Sequence, residues 1–111
     1  FLGGSEENRD IFFVEYSSGT WQEPVMLTNS LDGEYFPSIN ADSSRITYQT
    51  KDSSGNRYIM LVEKISGVWQ APVALPTVTD NNMFPVINAD GTRIAFYGVN
   101  EEGYRDIYFV E

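Results

Sequence analysis

Apolar side chains in this chain come in short runs with polar turn residues between them. Three unbroken runs resemble one another: IFFV at 11–14, IMLV at 59–62 and IYFV at 107–110. A short unbroken apolar run between turns is the pattern of a strand buried on both faces. No segment spaces its apolar residues with a helical period. Four strands are predicted for the middle of the chain: residues 35–40, 45–50, 57–63 and 68–75. The turns that join them are ADSS at 41–44, KDSSGN at 51–56 and KISG at 64–67. Each is short and carries Ser, Asn, Asp or Gly, as hairpin connections require.

The pattern repeats. A shift of 48 positions carries Trp21 onto Trp69, Pro24 onto Pro72, Phe36 onto Phe84 and Pro37 onto Pro85. It also carries Asn40, Ala41 and Asp42 onto Asn88, Ala89 and Asp90, and Arg45 onto Arg93. Arg9, Arg57 and Arg105 fall into a threefold register, as do Ile11, Ile59 and Ile107. About 27 of the 63 overlapping pairs are identical without a gap. Four short strands recurring every 40 to 50 residues are the signature of propeller blades.

The expectation is therefore an all-β chain of four-stranded antiparallel blades. About two and a third blades are present: a partial blade at 1–29, a full one at 30–77 and a partial one at 78–111. Proline supports this, because it cannot donate to a ladder and belongs at sheet edges. Pro37 and Pro85 fall in the first strand of a unit, and Pro24 and Pro72 in the fourth. The two middle strands contain none. Trp21 and Trp69 recur in G-x-W-Q-x-P-V-x-L, once per unit, and are expected to pack between blades. Phe36 and Phe84, with the turn residues Asp42 and Asp90, complete the structural set. Arg45, Arg93, Arg57 and Arg105 are expected to pair with carboxylates or cap loop carbonyls.

NADGTRIAF at 88–96 followed by RDIYFVE at 105–111 resembles the WD40-like, TolB-type propeller repeat. The chain departs from that pattern with Asn40-Ala41 and Asn88-Ala89 in place of Ser-Pro, and with Ser43 in place of Gly. The resemblance implies a periplasmic, cell-surface or secreted protein whose propeller docks a protein or glycan. It offers an alternative, the propeller domain of a larger peptidase or polysaccharide lyase with its catalytic residues elsewhere. No catalytic residue of such enzymes carries over to a position here. Closing a propeller takes four to eight blades. A piece of a longer chain, or copies that self-associate, would supply the rest. A start at Phe1 fits an excised piece.

Composition narrows the chemistry. Sixteen acidic and 7 basic side chains give a net charge of -9. That disfavours nucleic acid, whose phosphates need a basic footprint, and an anionic membrane surface. No apolar run reaches the roughly 18 residues of a membrane span. No histidine or cysteine is present, which removes the usual triads and the commonest transition-metal ligands. Glu6-Glu7 and Glu101-Glu102 are adjacent carboxylates read as solvated. No cofactor is expected. If an ion binds, calcium suits the hard oxygens of Asp52, Asn56, Asn100 and Glu102, or of Asp80, Asn81 and Asn82.

A partner is expected at the loops that join one unit to the next, TNSLDGEY and PTVTDNNM, and at KDSSGN and NEEGYR. These differ between units while the strands do not, and loops on a rigid scaffold carry function. They place Asp32, Glu34, Asp52, Asn56, Asp80, Asn81, Asn82, Asn100, Glu101 and Glu102 at the docking face.

Overall fold

The computed structural model describes residues 2–3, 9–28, 33–77, 79, 81–99 and 102–111. Among these there are strands and turns and no helix. The strands are β1 (Leu2–Gly3), β2 (Asp10–Phe13), β3 (Tyr16–Ser17), β4 (Thr20–Trp21), β5 (Val25–Met26), β6 (Glu34–Ile39) and β7 (Arg45–Lys51). They continue with β8 (Arg57–Ile65), β9 (Val68–Trp69), β10 (Val73–Ala74), β11 (Asn82–Ile87), β12 (Ile94–Val99) and β13 (Arg105–Val110).

Every ladder between these strands is antiparallel. The first sheet has the order β1-β2-β5, the second β10-β8-β7-β6, and the third β11-β12-β13. The second sheet has five strands, β9 pairing off the path with β8, and β6, β7, β8 and β10 form its antiparallel row. The predicted fourth strand, residues 68–75, is two short pieces. β9 closes a hairpin on the end of β8, and β10 pairs further back along it. Pro72 lies in the break, where a residue without N–H cannot extend a ladder. The hairpin turn is Ser66-Gly67, with φ of 51° and 82°. Two successive positive φ values make a type I′ turn, whose twist matches the strands. Ser18-Gly19 repeats it between β3 and β4, at 52° and 81°.

Proline behaves as the edge rule requires. Pro37 lies in β6 and Pro85 in β11, both edge strands. Just there the register slips, between Tyr35 and Ser38 and between Met83 and Val86. Phe36 and Phe84 absorb the bulge at φ 54° each. A positive φ on a bulky residue is strained backbone. The same strain at the same repeat position makes it a built feature.

The sheets stack face to face around two cores. Ile11, Phe13, Ile46, Tyr48 and Val62 form one between the first and second sheets, flanked by Leu27, Met60 and Trp69. Ile59, Ile87, Ile94 and Phe96 form the other, flanked by Leu61, Leu75, Tyr108 and Val110. The shift of 48 superimposes them: Ile11 on Ile59, Ile46 on Ile94, Tyr48 on Phe96, Val62 on Val110 and Leu27 on Leu75. The unbroken run of β8 divides accordingly, with Ile59 and Leu61 on one core and Met60 and Val62 on the other. Burial on both faces is what an unbroken apolar strand requires.

One Asn-x-Asp turn per unit ends the first strand and starts the second. The Asn40 Oδ1 accepts from the backbone N–H of Ser44 and Arg45, and the Asp42 Oδ1 accepts from Ser44 N–H. Asn88 and Asp90 do the same for Thr92 and Arg93. These side-chain bonds mimic a backbone turn. The hydroxyls and N–H groups of Ser44 and Thr92 hold the Asp42 and Asp90 carboxyls below their ordinary range.

Candidate functional site

The first strand of each unit begins, the second ends and the third begins at one end of the stack. That end carries a pocket of about 440 Å³ between the second and third sheets. Its cations are Arg9, Lys51, Arg57 and Arg105. Its walls are Tyr35, Phe36 and Phe84, with Met83 and Gln49 behind them. Three of the cations are the arginines of the threefold register, which open β8 and β13 and immediately precede β2. Consecutive sheets therefore deliver one arginine each to the same opening.

Four of the seven basic residues of an acidic chain are gathered here. Among the described residues no Asp or Glu lines the pocket. The three basic residues outside the pocket are held elsewhere. Arg45 pairs with Glu63 and Arg93 with Glu111, each at 3.3 Å. Lys64 lies over the rings of Phe13 and Trp69. The expectation that Arg45 and Arg93 pair with carboxylates thus holds at both sites. Arg57 and Arg105 differ. Among the described residues the Arg57 guanidinium donates to the Asn81 Oδ1, at 3.5 Å, and Arg105 stands exposed on the rim. Neither shares a sheet position with an acid as Arg45 does with Glu63, its direct cross-strand partner.

The aromatic walls are held in place. Phe36 and Phe84 meet across the sheet boundary with ring centroids 4.6 Å apart, yet remain 41% and 38% exposed. The Phe84 N–H donates to the buried Gln49 Oε1 at 3.1 Å, which fixes the bulge. Arg9 lies over the Tyr35 ring at 5.2 Å. The result is a positive opening with apolar ring surface inside it, suited to an anion that carries apolar groups.

A larger crevice, about 500 Å³, lies nearer the opposite end of the stack, between the first and second sheets. Ile11, Phe13, Ile39 and Ile46 line it. At the next sheet junction the repeat equivalents Ile59, Leu61, Ile87 and Ile94 are packed together. The crevice is therefore a loosely filled copy of a core, and it offers no cluster of charge.

The residues expected at the docking face have mixed fates. Glu34 and Asn82 are buried, so their side chains are not presented to a partner. Asn82 instead ties the loop before β11 together. Its Nδ2 donates to the carbonyls of Arg57 and Thr79 and to Thr77 Oγ1. The Asp52 carboxylate is occupied by the N–H groups of Ser54 and Asn56 and by the Tyr58 hydroxyl. Asn56 is half-buried in the same turn and Asn81 adjoins Arg57, while Glu102 is exposed. Among the described residues no acidic group clusters as a metal site. Asp32, Asp80, Asn100 and Glu101 lie outside the described residues. Sequence alone does not single out the arginine set, because each arginine has acids nearby in the chain that could pair with it. The signal that finds it is the threefold register itself.

Trp69 packs across a sheet boundary, edge-on to Phe13 with centroids 5.3 Å apart. Trp21 does not pack between sheets. It is 66% exposed, and among the described residues its ring contact is with its hairpin partner Tyr16. No helix among the described residues is long and apolar enough to cross a membrane. Compared with known proteins, the chain matches no protein-family model and no curated sequence. What the pocket can bind follows from its own residues.

Proposed function

We propose that this chain is a non-catalytic binding module. Its sheets are read as blades of a TolB-like propeller in a periplasmic, cell-surface or secreted protein. The loop-bearing end of the stack meets a protein or glycan partner. One observation carries the reading: four cations and three aromatic rings from successive sheets converge on one opening, in a chain whose net charge is -9. Among the described residues Arg57 and Arg105 pair with none of the acids, whereas Arg45 and Arg93 each hold one. Strained backbone at Phe36 and Phe84 supports it, because strain of this kind clusters at binding sites.

Thermal unfolding in the presence of peptides and oligosaccharides tests this. A ligand at a hundred times its Kd stabilises the folded chain by about 2.7 kcal/mol. For a domain of this size that raises Tm by roughly 10 °C. The rise should vanish when Phe36 and Phe84 are both replaced by Ala. If no peptide or oligosaccharide moves Tm, the reading is wrong.

A further inference from the structure

Resting on that reading, we infer that the pocket takes an acidic peptide segment in extended form, its carboxylates on Arg9, Arg57, Arg105 and Lys51. The spacing of the cations argues for length. Packed sheets lie about 10 Å apart, so one arginine per sheet makes a row of charge far wider than a single phosphate or carboxylate. An extended peptide rises about 3.3 Å per residue. Acidic residues three apart therefore match the sheet spacing.

The chemistry of the row matches as well. Arginine binds carboxylate through two parallel N–H···O bonds, and Arg57 and Arg105 have no carboxylate of their own among the described residues. Phe36 and Phe84 line the same opening as the arginines and offer ring surface to intervening apolar side chains.

A peptide fits better than an acidic glycan because its carboxylates can alternate with apolar side chains that rest on Phe36 and Phe84. Strand addition is not the mode: Pro37 and Pro85 lack an N–H, and the N–H groups of Phe84 and Ile87 are held by Gln49 and Ser38.

The test is fluorescence anisotropy with a labelled nonapeptide carrying Glu at every third position. Alongside it run the same peptide with Gln for Glu and an oligouronide of equal charge. The glutamate peptide should bind, and the glutamine peptide should bind at least about tenfold more weakly. Replacing Lys51 and Arg105 by Ala together should weaken the glutamate peptide by a further tenfold or more. Both side chains are exposed, so the variant folds, and circular dichroism checks that. Arg93→Ala, at the far end of the sheets, should leave binding unchanged. Glutamate-peptide binding that K51A/R105A does not weaken overturns the inference. So does tighter binding of the oligouronide, or equal binding of the two peptides. Those outcomes leave the binding-module reading in place. Binding of no probe, peptide or sugar, removes both.

Discussion

Tyr48 and Phe96 occupy the same place in consecutive units, and only one of them can ionise. Tyr48 is 3% exposed, in the core between the first two sheets. Burial, and then the nearby Glu34 charge, pushes its hydroxyl well above the ordinary value of 10.0. The folded chain holds that proton longer than the unfolded chain does. The contribution to stability is therefore complete below pH 10.0 and is lost as pH rises beyond it. Tyr48→Phe, which copies the next unit, should flatten that loss. Urea unfolding midpoints compared between neutral pH and about one unit above the ordinary tyrosine value would show it. A wild-type midpoint that falls no faster than that of the variant would contradict the assignment. At this position the single hydroxyl separates the two cores.

At the scale of the element, the Asn-x-Asp turns do more than reverse the chain. The turn of the second unit grips the turn of the third. Arg45 donates to the Gly91 carbonyl at 2.6 Å, and the Ala41 N–H donates to the Ala89 carbonyl at 2.8 Å. Gly91 sits at φ 77°, and a Cβ there would lie 2.6 Å from Asn40 Nδ2. Asn40 cannot swing away, because Nδ2 is bonded to Asp42 and Ser44. Gly91→Ala should cost about 2 kcal/mol, from the left-handed backbone and the displaced Asn40 together. Ser43 holds φ 62° in the matching position with a Cβ already in place. Ser43→Gly should therefore gain a few tenths of a kcal/mol, the relieved strain being partly offset by a freer unfolded chain. Denaturant unfolding of both variants reads the contrast. These turns were legible in the sequence, since Asn, Asp and Gly announce them locally. So were the strand positions, set by the 48-residue register. The break in the fourth strand was not, although Pro72 marked it. The pocket was not either. Which cations find a local acid depends on cross-strand partners: Arg45 stands opposite Glu63, whereas Arg57 stands opposite Lys51. That pairing puts two like charges together, a cost expected where an anion is to be bound.

For the whole molecule, the stacking of sheets decides what each repeated residue does. Ile59 is fully buried against the third sheet, whereas Ile107, its repeat equivalent, is 64% exposed. Phe109 is exposed as well, while its counterpart Leu61 packs on a core. The same residue type at the same strand position is core in one sheet and surface in another, and only the neighbouring sheet differs. The two tryptophans make this measurable. Both follow a Ser-Gly turn in the same hairpin, so local structure treats them alike. Trp69 leans over the boundary onto Phe13 with the Lys64 ammonium over its ring, while among the described residues the ring beside Trp21 is Tyr16 of its own hairpin. Truncating a ring packed across sheets leaves a cavity and costs about 3 kcal/mol. An exposed ring removed from a hairpin costs within about 0.5 kcal/mol. Trp69→Ala and Trp21→Ala, unfolded side by side in urea, should differ by at least about 2 kcal/mol, with Trp69→Ala the less stable. Equal losses would mean that the hairpin, common to both, sets the contribution of tryptophan. A large gap would mean that contact between sheets sets it, and that each sheet face depends for its stability on what is stacked against it.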